Sequence, residues 1–138
     1  MNADNTKKLY DRFPALYAEH SLPMTQTCMC WGFECDNGWF DLIWMLSLAL
    51  EDESKQSNAP IVAQQVKEKF GGLRFYISGN ERAYSLAYLA ENASYQVCET
   101  CGSNSGRMHH RGTWLKTLCV KCGKAIEGYV PLASKKLP

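Results

Sequence analysis

No apolar run in this chain is long enough to cross a bilayer. The most hydrophobic stretch, Trp39 to Leu50, makes about three helical turns and contains Asp41. The opening MNADNTKKLYDRFP lacks the apolar centre of a secretory leader. Histidine is scarce: there are three, and two of them are adjacent. The chain has no paired carboxylates, G-x-S-x-G elbow, P-loop or G-x-G-x-x-G fingerprint. It also lacks internal repeats and low-complexity segments, and its net charge is only +1. Without a charge excess there is no global attraction to nucleic acid or to a membrane surface. These absences predict a soluble cytoplasmic protein that is not an enzyme and has no membrane partner.

Cysteine is what the chain does have. Seven cysteines in a reducing compartment argue for metal binding or buried thiols rather than disulfides. Cys98-x-x-Cys101, a gap of 17 residues, and Cys119-x-x-Cys122 have the spacing of a tetrahedral zinc site. Each C-x-x-C turn aims two thiolates at one point, and Gly102 and Gly123 follow the pairs where a tight backbone is expected. Four sulfurs close the shell, so the expected cofactor is one structural Zn²⁺ with no position left for a reactive water. His109 or His110 is an alternative ligand, but adjacent strand residues point to opposite faces, so at most one can turn inward. Cys28, Cys30 and Cys35, with His20 upstream, offer a second metal site or, on the simpler reading, small buried side chains. A zinc- or thiol-dependent enzyme is a further alternative; it would need an open coordination position, or a thiol of Cys28, Cys30 or Cys35 activated by one of the three histidines.

The rest of the chain reads as α+β. Residues 6–20 form a short helix interrupted near Pro14, and residues 39–54 form the strongest helix, with Asn37 as its cap. That helix is apolar nearly all round, so it is either central or covered by a partner. Residues 61–78 alternate on both sides of Gly71-Gly72 and predict a hairpin turning on those two glycines. In that register Lys69 opposes Arg74, Lys67 opposes Tyr76 and Val66 opposes Ile77. One face is apolar apart from Glu68, and the other carries Lys67, Lys69, Arg74 and Tyr76. A helix capped by Asn80 follows. The expected architecture is helices packed on a small antiparallel sheet over residues 1–95, then a zinc-ribbon or treble-clef-like module over residues 96–138.

Charge is unevenly divided between these parts. Residues 1–97 carry eight Lys/Arg against twelve Asp/Glu, whereas residues 98–138 carry seven against two. Two basic surfaces follow as candidates for partner binding. One is the hairpin face of Lys67, Lys69, Arg74 and Tyr76. The other is a loop with Arg107, His109, His110, Arg111 and Trp114, whose indole is suited to anchoring or stacking. The partner implied is a protein or nucleoprotein complex. Direct nucleic-acid binding is the alternative, although the acidic first half would repel phosphate. Oligomeric state stays open: Trp31, Tyr84 and Tyr88 fit a core or a dimer face.

The segments GFECDNGWFDLI, QVKEKFGGLRFYISG and CETCG…GTWLKTLCVKC resemble a group of small bacterial and phage or prophage-encoded proteins. The resemblance spans Pro14 to Cys122. It implies a mobile-element accessory protein, in whose company small inhibitors of host defence systems are common, and it brings no established activity. Relatives vary more in the second ligand pair, which here is plainly Cys119 and Cys122.

Overall fold

A computed structural model describes residues 1–133 of the chain, and the last five residues of the expected zinc module lie outside them. Helix α1 (Ala3–Arg12) starts at Asn2, whose Oδ1 accepts the Asn5 N–H at 2.8 Å. The chain then passes Pro14 and short 3-10 turns to β1 (Phe33–Glu34) and α2 (Phe40–Ser57). The hairpin β2 (Val62–Lys69) and β3 (Gly72–Ser78) leads into α3 (Glu81–Ser94). Asn80 caps α3 as expected, accepting the Ala83 N–H at 2.9 Å. β4 (Arg107–Arg111) and β5 (Trp114–Leu118), α4 (Val120–Ala125) and β6 (Val130–Pro131) complete the described chain.

The α+β assignment holds, in two three-stranded sheets ordered β1-β2-β3 and β5-β4-β6. The first is not wholly antiparallel, because β1 pairs with β2 in parallel. The first sheet carries the main core. Val66, Leu73, Phe75 and Ile77 pack with Trp39, Ile43, Leu46 and Leu50 of the α2 segment and with Leu9, Phe13 and Tyr17. α2 is therefore central, with Met45 left exposed. Its cap is not Asn37, whose side chain instead accepts the Asn2 N–H at 2.8 Å. The helix runs past the expected end at residue 54 to Ser57 and stops at Asn58 with φ of 50°. Glu51 pairs with Arg12 and Lys55, and Glu53 pairs with Arg82 at 3.0 Å.

The β2–β3 turn corrects the expected register. The turn residues are Phe70 and Gly71, with φ of 53° and 80°, and not the glycine pair. Val66 opposes Phe75, Lys67 opposes Arg74 and Lys69 opposes Gly72. Gly72 is a glycine for a different reason: an added Cβ would fall 2.5 Å from the Tyr95 ring. The slip moves each cross-strand partner by two residues, so the residues within the strands keep their faces, and only Phe70, expected on the apolar face, leaves it for the turn.

Candidate metal centre and adjoining groove

The two cysteine pairs meet. The Sγ atoms of Cys98, Cys101, Cys119 and Cys122 all lie within 4.8 Å of one another, the metal-ligand cluster among the described residues. Cys101 Sγ and Cys119 Sγ are 3.7 Å apart. That spacing is far beyond a disulfide bond. It matches the separation of about 3.8 Å between sulfurs that each lie about 2.3 Å from a tetrahedral zinc.

Local structure explains the convergence. In the first turn the Gly102 N–H returns to the Cys98 carbonyl at 2.8 Å, and Gly102 has φ of 78°. The β4–β5 hairpin, turning at Gly112 with φ of 60°, carries the chain back to the second pair. Cys119 is the N-cap of α4, and its Sγ accepts the Cys122 N–H at 3.4 Å. A cysteine turn, a hairpin and a helix bearing the second pair in its first turn make the treble-clef-like order rather than a ribbon. The Cys122 N–H lowers the Cys119 thiol to about 7, whereas burial and the crowded neighbouring sulfurs push Cys122 up to about 12. Four thiols so close cannot all ionise unless a cation joins them, a charge that a Zn²⁺ bound there would supply. Beyond the cysteines the surrounding cluster is small: Leu118 is buried, and Ile126 and Tyr129 are partly buried. A metal ion held by the four sulfurs would substitute for the larger core that this cluster lacks.

Gly123 does not make a tight turn as its position suggested, since it lies inside α4. Its missing Cβ makes room for the His109 ring, which an added carbon would overlap. His109 is 2% exposed, with Nδ1 2.9 Å from the Arg107 carbonyl. The assignment of His109 to a partner surface is thereby corrected: the inward face of β4 makes it a packing residue. His110, on the opposite face, is half-buried.

Body and metal module interlock. The Trp39 indole donates to the Val97 carbonyl at 2.9 Å, and the Asp36 N–H donates to Glu99 Oε1 at 3.1 Å. Lys116 Nζ sits 2.8 Å from Asp36 and 3.1 Å from Glu99. Glu99 Oε2, which no described group meets in hydrogen-bond geometry, is held by that ammonium charge. Burial still pushes the Glu99 carboxyl above its usual range, outweighing the attraction of Lys116. Thr117 Oγ1 donates to the Gly71 carbonyl at 2.6 Å, fixing the tip of the first hairpin to β5. Sequence reasoning missed all of these joints, because their partners lie far apart along the chain and no local pattern marks them.

The remaining partner candidates separate into groups. Arg74 is engaged, with Glu91 at 2.9 Å and the Tyr95 hydroxyl at 3.3 Å, so its assignment to a free basic face is corrected. Tyr76 is exposed but lines a different depression, with Gln64 and Met24. Arg107 is exposed, and Arg111 lies over the Tyr129 ring at 4.8 Å. Lys67, Lys69 and Trp114 do come together. They line a groove of about 390 Å³ between the two hairpin tips, with Glu68, Phe70, Thr113 and Leu115. Trp114 is 70% exposed and Phe70 64% exposed. Phe70 was read from the sequence as part of the apolar face, and only the turn register reveals it as a groove residue.

The other cysteines do not assemble. Cys28 is exposed, Cys30 donates to the Thr27 carbonyl at 3.3 Å and Cys35 is buried. His20 stacks on Tyr10 with ring centroids 4.0 Å apart. Trp31, Tyr84 and Tyr88 are exposed rather than core residues. No helix among the described residues is long and apolar enough to cross a membrane. Comparison with protein-family profiles, curated proteins and solved structures gives no match.

Proposed function

We propose that this is a non-enzymatic, zinc-stabilised interaction protein that docks on a protein or nucleoprotein complex through the groove between its hairpin tips. One observation carries the reading. Two aromatic rings and two lysines, drawn from segments more than forty residues apart, line one solvent-open groove. Phe70 strengthens it. A bulky residue at φ of 53° is strained, and large exposed side chains held in that region mark sites where the side chain is used.

A closed four-thiolate shell supports the non-enzymatic part, because it leaves the metal no position for substrate or water. Burial pushes the Cys35 thiol up to about 12, which unfits it as a nucleophile. The sequence resemblance supports a mobile-element accessory role in the bacterial cytoplasm, with modulation of a host complex, including inhibition of a defence system, as the outcome of docking.

Comparative capture tests the reading. The tagged native protein and its Trp114→Ala variant are used to recover complexes from nuclease-treated host extract, with Tyr88→Ala as a control at a distant exposed site. A complex lost with Trp114→Ala and kept with Tyr88→Ala supports groove docking. Equal recovery by all three contradicts it.

Direct single-strand binding is the second reading, favoured by exposed Phe70 and Trp114 beside two lysines. It requires oligonucleotide affinity that falls steeply with salt, with a slope reduced by Lys67→Ala.

A further inference from the structure

The groove is bounded by open strand edges as well as by side chains. β1 gives β2 partners only at Val66 and Lys67, so the end of β2 runs past it. In a hairpin closed by a two-residue turn, the pair beside the turn exchanges both main-chain bonds. The next pair points its N–H and C=O groups outward. Lys69 and Gly72 are the turn pair, so Glu68 and Leu73 point outward. The Leu73 N–H does so, meeting Ser94 Oγ at 2.9 Å. Val66, two residues before Glu68, faces β1 as the alternation requires.

The second hairpin follows the same rule. Arg111 and Trp114 are the turn pair, so Leu115 and Thr117 point outward from β5, the edge strand of its sheet. The Thr117 carbonyl is taken by the Glu99 N–H at 2.9 Å. Among the described residues, no protein group meets the outward main-chain atoms of Leu115 or of Glu68. Both residues line the groove.

We infer that the groove takes an extended acidic peptide, paired through its main chain to the strand edges at Glu68 and Leu115. This rests on the docking reading above and names the chemistry of its occupant. Unpaired N–H and C=O groups are satisfied by another main chain, as in strand addition. A nucleic acid has no main chain of that kind to offer. Charge points the same way. Lys67 and Lys69 outnumber Glu68, whose Oε1 is turned back to the Gly71 N–H at 2.6 Å. Side chains alternate along an extended peptide, so acidic residues reach the lysines while an apolar residue between them enters the space lined by Phe70, Leu115 and Trp114.

Displayed peptide libraries test the inference on the native zinc-loaded protein. In one, Asp or Glu is fixed at alternate positions of a seven-residue segment and the remainder varied; in the other, Lys occupies the fixed positions. The expected result is enrichment of the acidic library alone, lost on Trp114→Ala and weakened by the Lys67→Ala, Lys69→Ala pair. N-methylation of one backbone amide in a selected peptide then lowers affinity about tenfold, and hydrogen exchange at the Glu68 and Leu115 amides slows on binding.

Enrichment of neither library, or of the lysine library, overturns the inference. So does Trp114-dependent binding of a thymidine 20-mer without peptide enrichment. A dimer of this chain that Trp114→Ala dissolves likewise overturns it, by assigning the edges to a second copy. Acidic peptides that bind in the groove but tolerate N-methylation at every position remove strand pairing and leave the docking reading intact. Host-complex capture unaffected by Trp114→Ala removes the docking reading itself.

Discussion

The main-chain N–H of Gly38 donates to the carbonyl oxygen of Glu99 at 2.7 Å, in the turn between the first two cysteines of the candidate metal cluster. A side chain at Gly38 would overlap the carbonyl oxygens of Cys98 and Glu99, and Gly102 in turn lies against the Gly38 backbone. The Cys98–Cys101 turn is thus seated on the segment that leads into α2.

Gly38→Ala tests this seat. The obstruction is main chain on both sides, so neither partner can rotate away. The expected loss is about 1–3 kcal/mol of stability, together with faster transfer of zinc to a competing chelator. Urea denaturation and chelator competition measure the two effects. Unchanged values for both would mean that the metal module stands independently of the body.

Thr117→Val removes the hydroxyl that ties β5 to the Gly71 carbonyl while keeping the volume of the side chain. Gly71 is buried, so its carbonyl is left without that donor. The expected cost is about 1–3 kcal/mol in urea denaturation. A change within experimental error would place solvent at that carbonyl.

Phe70→Gly separates stability from docking. Glycine accepts positive φ, where an L-residue costs roughly 1–2 kcal/mol, and the flexibility of glycine in the unfolded chain offsets part of the gain. The variant should be as stable as the parent, or up to about 1 kcal/mol more stable, and should capture less of the host complex. A clearly destabilised variant would mean that Phe70 serves packing.

Thiol reactivity should rank the cysteines outside the metal cluster. Cys28 is exposed and reacts first, whereas Cys30 is partly buried and reacts more slowly. Burial pushes Cys35 up to about 12, so at pH 8 its thiolate fraction is on the order of 1 in 10,000. Because only the thiolate reacts, Cys35 should be alkylated only after unfolding. Peptide mapping after timed iodoacetamide treatment reads the order, and labelling of Cys35 as fast as Cys28 would contradict the burial.

What was legible in the sequence follows from the range of each signal. The four-cysteine cluster was readable because two C-x-x-C pairs each define a turn locally and only their meeting is long-range. The Asn80 cap and the first hairpin were readable for the same reason. The β2–β3 turn was misplaced because two adjacent glycines had different duties: Gly71 bends the chain and Gly72 clears the Tyr95 ring, a contact 23 residues away. His109 was misassigned because its burial depends on Gly123, across the hairpin and into α4. The Asp36–Glu99–Lys116 cluster joins three segments, and none of them carries a mark of the others. The groove was half visible: its lysines and its tryptophan were singled out separately, and only the fold sets them side by side.

Zinc-edge X-ray absorption of the purified protein, with metal content measured on the same sample, tests the central claim most directly. One zinc per chain with four sulfur neighbours at about 2.3 Å and no lighter ligand is the predicted result. A bound oxygen or nitrogen in the shell, or a folded protein containing no zinc, would contradict it.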